Sequence, residues 1–134
     1  MNAFVVIGSV LAVIAALIHV YIWVLESVQW TKESTRRVFG VQSAADAELM
    51  RPLAYNQGFY NLFLAIGVVT GVVMLVATTV AQAGFAVAVF GLLCMLLAAV
   101  VLITSNPKLA RSALIQGLAP LLALVFLVVG SAIS

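Results

Sequence analysis

Apolar residues in this chain neither alternate at strand spacing nor form the narrow stripes of a soluble amphipathic helix. They run on almost unbroken over residues 3–25, 57–80, 84–104 and 113–132. A helix crossing the hydrocarbon of a bilayer needs about 20 such residues. The pattern predicts an all-α polytopic membrane protein: one domain, residues 1–134, of four transmembrane helices in a compact bundle. Met1-Asn2-Ala3 carries no Lys or Arg, and the first run is too long for the apolar core of a secretory signal, so it reads as a retained membrane helix. Between the second and third runs only Thr78, Thr79 and Gln82 are polar, which predicts a tight hairpin with Gly84 opening the third helix. The one substantial soluble piece is the loop 31–52. There Ser43, ahead of Ala-Ala-Asp-Ala-Glu-Leu-Met, predicts a short capped helix on the membrane surface, with Pro52 separating it from the second span.

Composition agrees with this class. Hydrophobic residues make up 66% of the chain and charged residues 7%, against about 25% charge in a soluble globular domain. The formal net charge of +2 raises nucleic acid as a partner, but the placement of the charges removes it. Lys32, Glu33, Arg36, Arg37, Asp46, Glu48 and Arg51 lie in one window, Lys108 and Arg111 between the last two runs, and Glu26 at the end of the first. In a four-span topology all ten charges fall on one side. The positive-inside rule then predicts that loops 31–52 and 105–112 are cytoplasmic and that both termini lie outside. The basic residues are topology signals and contacts for anionic lipid. Cys94 has no partner for an intrachain disulfide and sits in an apolar run, where it reads as a small hydrophobe.

Polar and small residues inside the runs mark helix faces. Gly8, Ala12, Ala15, His19, Trp23, Glu26 and Trp30 fall within about one quadrant of the first helix. His19 and Glu26 are two turns apart, so they project the same way about 10 Å from each other, with Trp23 between them. In the second run Asn56, Tyr60, Gly67 and Gly71 share a face, with Gln57 and Asn61 beside it. Gly67-Val-Val-Thr-Gly71 is a small-xxx-small motif. The third run has a small face of Gly84, Ala88, Gly91, Cys94 and Ala98; the fourth sets Gln116, Pro120, Ala123 and Gly130 on one side. Pro120 leaves the carbonyl of Gln116 without its helical donor.

The sequence His19-Val-Tyr-Ile-Trp-Val-Leu-Glu26, then Trp30, then Phe39-Gly40, then Asn56-Gln57-Gly58-Phe-Tyr60-Asn61 resembles a family of small four-helix bacterial membrane proteins, domain-of-unknown-function family 1304. The resemblance runs over nearly the whole chain. It implies four spans and the bacterial cytoplasmic (inner) membrane. It carries no activity and no catalytic roles.

Ionisable groups in a span are costly and default to functional hypotheses. His19 and Glu26 are therefore a candidate acid/base pair, and Trp23, Asn56, Tyr60, Asn61 and Gln116 candidate ligand-binding residues around a pocket open to the cytoplasmic side. The structural alternatives stay open beside this reading. Glu26 can be an interfacial carboxylate tied to a loop cation, His19 interhelical glue, Trp23 part of an aromatic belt, and the amides helix caps. One His and one Glu are too few for a metal site, and no phosphate loop or nucleophile triad accompanies them, so no metal or cofactor is expected. Three function classes follow. The leading one is binding of, or acid–base chemistry on, a lipophilic small molecule. A small proton-coupled exporter is disfavoured by the one-sided charge and the boundary position of Glu26. A structural or accessory subunit would use the Gly67/Gly71 and Gly84/Gly91 faces for a homo-oligomer or for partner helices. The lipid bilayer is the partner common to all three.

Overall fold

The computed structural model describes residues 1–77 and 79–133. Four helical stretches, Ala3–Val28, Ala44–Val76, Ala81–Ser105 and Pro107–Ala132, are long and apolar enough to cross a membrane. In chain order the α-helices are α1 (Ala3–Trp23), α2 (Glu33–Phe39), α3 (Ala44–Val76), α4 (Ala81–Ser105) and α5 (Ala110–Ala132). The short α2 lies in the loop; the other four form the bundle. α1 packs against α3 and α5, and α4 packs against the same two, so α1 and α4 sit on a diagonal.

Contact between these helices is made by small residues, because lipid tails provide no hydrophobic drive for helix association and close backbone approach must supply it. A methyl group on Gly71 would overlap the backbone of Ala88. One on Gly84 would overlap the backbone of Met74 and Leu75, and one on Gly91 would meet Val68. These three contacts share one antiparallel register between α3 and α4. On the other side of the bundle Gly8 faces Leu127 and Gly130 faces Val5, which registers α1 against α5. The Asn2 side chain ties that end together: its Oδ1 accepts from the Val5 amide at 3.0 Å and its Nδ2 donates to the Gly130 carbonyl at 2.8 Å. Between these layers Ala12, Ala15, Val68, Ala88, Leu92, Met95, Ala123 and Leu127 form a closed core.

The glycine faces are thus mostly used within the chain. The expectation that Gly67/Gly71 and Gly84/Gly91 serve partner helices is corrected for Gly71, Gly84 and Gly91, whose close approach joins α3 to α4. Around Gly67 there is open space.

Helix ends depart from the sequence pattern in three places. The short helix predicted after Ser43 and the second span are one continuous helix of 33 residues, α3, with Pro52 inside it. Pro52 cannot donate to the carbonyl of Glu48, but it sits at the charged, exposed end of the helix, where water can take that acceptor. The start is capped as expected: Ser43 Oγ accepts from the Asp46 amide at 3.0 Å and donates to Asp46 Oδ2 at 2.7 Å. Secondly, residues 33–39, read as loop, form α2. It ends on Gly40 at φ +70°, a left-handed conformation that glycine adopts without a Cβ penalty. The amides of Val41 and Gly40 close that end onto the carbonyls of Arg36 and Arg37. Thirdly, α4 begins at Ala81 rather than Gly84, and a 3₁₀ turn at Pro107–Leu109 leads into α5 at Ala110 rather than 113. Of the polar trio expected in the α3–α4 hairpin, Thr78 lies outside the described residues.

Candidate functional site

The first span does not finish as an α-helix. From Val24 to Val28 it widens into a π-turn, and the Gln29 amide donates to the Val24 carbonyl five residues back, at 2.9 Å. One-turn π segments in α-helices are frequent at functional sites. This one contains Glu26 and Ser27 and lays both against α3. Ser27 Oγ donates to the Tyr55 carbonyl at 3.0 Å. The approach is possible because position 58 is glycine: a methyl group there would overlap Ser27 Oγ and come within 3.1 Å of Glu26 Cβ.

Glu26 is 8% exposed. Asn61, one turn along α3 from Gly58, donates through Nδ2 to Glu26 Oε2 at 2.9 Å and also to its own helix at the Gln57 carbonyl, at 3.2 Å. Glu26 Oε1 has no protein partner among the described residues. The expected tie from Glu26 to a loop cation is not what the structure shows. The loop carboxylates Glu33 and Glu48 pair with Arg37 and Arg51 instead.

Glu26 lines an open pocket of about 380 Å³ at the charged end of the bundle. Asn56 and Gln57 provide further polar groups; Trp30, Phe39, Met50 and Leu53 provide apolar ones. The roof is held by Trp30, which is buried. Its Nε1 donates to the Ala47 carbonyl at 2.7 Å, and its ring leans on Phe39 with centroids 5.3 Å apart. The loop between α1 and α3 is thereby fixed over Glu26.

The other predicted residues divide. His19 is 1% exposed and lies deeper; its Nδ1 is 2.9 Å from the Ala15 carbonyl of its own helix. A carbonyl only accepts, so Nδ1 carries the hydrogen of this bond. His19 does not line the Glu26 pocket. Trp23 does not stand in that pocket either. It meets Phe59 edge-on, with centroids 6.1 Å apart, in an aromatic row that continues to Tyr55 and Phe63. Tyr60 is 56% exposed on the outer face of α3. The face through Asn56, Tyr60 and Gly67 therefore points mostly outward, and the inner face runs through Ala54, Gly58, Ala65 and Val68. Gln116 is half-buried on α5. The register set by Gly8 against Leu127 brings it level with His19, so it too lies away from the pocket. The predicted constellation thus separates into a carboxylate–amide site of Glu26, Asn56, Gln57 and Asn61, and a deeper His19.

Sequence reasoning did not find Ser27, Phe39, Val41, Met50 or Leu53 as parts of the site. Met50 and Leu53 carried a usable signal: they are apolar residues three apart in the otherwise charged first turns of α3, a spacing that puts both on one face. Among the described residues no three His, Cys, Asp or Glu side chains come together as a metal site.

Neither curated proteins nor solved structures gave a match to this chain. The profile of a protein family of unknown function, DUF1304, matches residues 13–128, a segment that contains the π-turn, Trp30, the Asn56–Asn61 motif and all the glycine contacts between α3 and α4. The chain belongs to domain-of-unknown-function family 1304.

Proposed function

We propose that the chain binds a lipophilic small molecule in the pocket beneath Trp30, with Glu26 as the polar anchor and, where the ligand carries a transferable proton, as the acid or base. The observation that supports this most directly is the state of Glu26. It is a nearly buried carboxyl group at the end of an apolar span, with one oxygen held by Asn61 and the other without a protein partner, in a pocket whose walls are mostly apolar. A carboxyl group in such a place is expensive to maintain. A ligand hydroxyl or amine donating to Oε1 would complete it. Small-molecule sites in general combine apolar walls with a few convergent polar groups. We place the pocket on the cytoplasmic side of a bacterial inner membrane, on the strength of the Lys and Arg residues that all lie at its end of the bundle.

The test is native mass spectrometry of the protein released from its own membranes in mild detergent. A defined small-molecule adduct that is retained by the parent and lost in Glu26→Gln, with helix content unchanged, supports the reading. An adduct that Glu26→Gln retains equally, or none at all, refutes it.

A further inference from the structure

Among the described residues Glu26 is the one charged side chain that lines the pocket under Trp30. None of the six Lys and Arg side chains lines it. Arg37 and Arg51 are engaged by Glu33 and Glu48, and Arg36 and Arg37 belong to a neighbouring pocket on α2. Trp30, Phe39, Met50 and Leu53 stand between Glu26 and those arginines. This end of the bundle thus carries a surplus of cations, yet among the described residues none of them pairs with the nearly buried carboxyl group. A carboxylate taken from water is costly unless an opposite charge completes it. Glu26 Oε2 has Asn61 as its donor. Oε1 has no protein partner among the described residues and is not closed off, since it keeps accessible surface where Glu26 lines the pocket.

The order of groups along the pocket sets how a ligand lies in it. Glu26 is innermost, at the end of the apolar span Ala3–Val28, and the apolar side chains stand outward of it toward the loop. A membrane lipid has the opposite order, with its charged head outward and its tails in the hydrocarbon. The volume of about 380 Å³ is also at the low end for small-molecule sites, which run from about 300 to 1,000 Å³. Both features fit a compact molecule with one polar end that enters from the loop side with that end first. The pocket offers this end Glu26 Oε1 and the neutral amides of Asn56 and Gln57. An ammonium group has up to three donors and no acceptor, so it meets Oε1 by charge and hydrogen bond together and can use amide oxygens as well. A hydroxyl brings one neutral donor. A carboxylate or phosphate would face Glu26 with no cation between them.

We infer that the ligand is a compact lipophilic amine bound as a monocation, with its ammonium group on Glu26 and its apolar body along Trp30, Phe39, Met50 and Leu53; this rests on the proposed function and specifies its ligand. An amine forms the same ion pair whether it arrives protonated or takes the proton of a Glu26 carboxylic acid, the N–H bond formed replacing the O–H bond broken. The apolar wall strengthens the pair, because attraction between opposite charges grows as the surroundings become less polar.

The experiment measures binding by equilibrium dialysis at neutral pH, with the protein in nanodiscs of zwitterionic lipid and empty nanodiscs as the blank. The probes are octyl, phenylbutyl and naphthylethyl bodies, each carried as the amine, the alcohol and the carboxylic acid. For at least one body the parent is expected to bind the amine at least about tenfold more tightly than the alcohol or the acid, the difference expected from one charge-assisted contact. Glu26→Gln should bring amine and alcohol within about twofold of each other. Glu33→Gln, which removes the same charge from the exposed side of α2, should leave the preference unchanged. Leu53→Lys sets a fixed cation at an exposed position of the pocket wall and should weaken the amine more than the alcohol; it decides should Glu26→Gln not fold. Alcohols bound as tightly as amines in a Glu26-dependent way overturn the cation and leave the pocket reading standing, as does tightest binding of the acids. A preference for amines that survives Glu26→Gln, or that falls equally in Glu33→Gln, marks general surface attraction and overturns the inference. Binding of none of the probes overturns it as well, and the native adduct then decides the pocket reading by itself.

Discussion

Replacing Gly58 by alanine tests how closely the π-turn is fitted to α3. The added methyl group would overlap Ser27 Oγ and stand 3.1 Å from Glu26 Cβ and 3.2 Å from the Ser27 amide nitrogen. The hydroxyl can swing away, but only by giving up its bond to the Tyr55 carbonyl. Losing that bond costs about 1 kcal/mol. The remaining contacts are with backbone and Cβ atoms that cannot rotate away, and overpacking of this kind costs about 1–3 kcal/mol. Alanine returns about 1 kcal/mol through its better helix propensity. The net expectation for Gly58→Ala is a loss of about 2 kcal/mol. Ser27→Ala alone should cost about 1 kcal/mol for the same hydrogen bond. In the double variant that bond is already gone and the worst overlap with it, so the total should be about 1 kcal/mol rather than the sum of about 3, a coupling of about 2 kcal/mol. The assay is reversible unfolding in mixed micelles, followed by helical circular dichroism, on the parent, both single variants and the double variant. Additive single effects would refute the reasoning, because they would mean that Ser27 and position 58 do not meet.

Three further outcomes follow from the packing and the charge map. Gly71→Ala drives a methyl group into the Ala88 backbone, which has no side chain to move aside, whereas Gly67→Ala enters open space; unfolding measurements should show a net loss of about 2 kcal/mol for the first and, from helix propensity alone, a gain of up to about 1 kcal/mol for the second. Trp30→Phe keeps an aromatic ring beside Phe39 but removes the hydrogen bond to Ala47. It should destabilise by about 1–2 kcal/mol and speed proteolysis in the segment 31–43 of reconstituted protein. With Cys94 replaced by alanine, a cysteine at Thr79 should react with an impermeant maleimide in intact cells, and one at Ser43 should react only after lysis; the reverse pattern would invert the proposed topology.

Much of the bundle was legible because membrane spans are written in length and helix faces in period. Gly8, Ala12, Ala15 and His19 were placed on one face of the first helix at 3.6-residue spacing, and all four are buried. The same reasoning erred in α3. Asn56, Gln57, Tyr60 and Asn61 share one arc of the helix at 3.6 residues per turn, but Asn56 and Tyr60 are exposed while Asn61, at the edge of that arc, turns to Glu26; polarity alone does not tell which of them faces inward. The inner face was set instead by the small residues Ala54 and Gly58, which let the π-turn come close. The π-turn had no local signature. It carries Glu26 and Ser27 onto α3, and with it the carboxylate found Asn61 while His19 stayed bonded within α1. Pro52 misled in the other direction. A proline inside a helix is disfavoured by the acceptor it strands, and that cost is small at an exposed helix end, where water can take the acceptor. The cluster of Trp30, Phe39, Met50 and Leu53 depended on the chain folding back over Glu26, which no window of the sequence contains.

The most direct test of the central claim places a photoreactive residue at Leu53, inside the pocket, and separately at Tyr55, two residues along α3 and outside it. Both side chains are more than half exposed, so both can meet lipid. Crosslinks made in native membranes are then identified by mass. The account predicts one enriched lipophilic adduct at Leu53, absent at Tyr55 and lost when Glu26 is replaced by glutamine. The same mixture of bulk lipids at both positions, unaffected by Glu26→Gln, would contradict it.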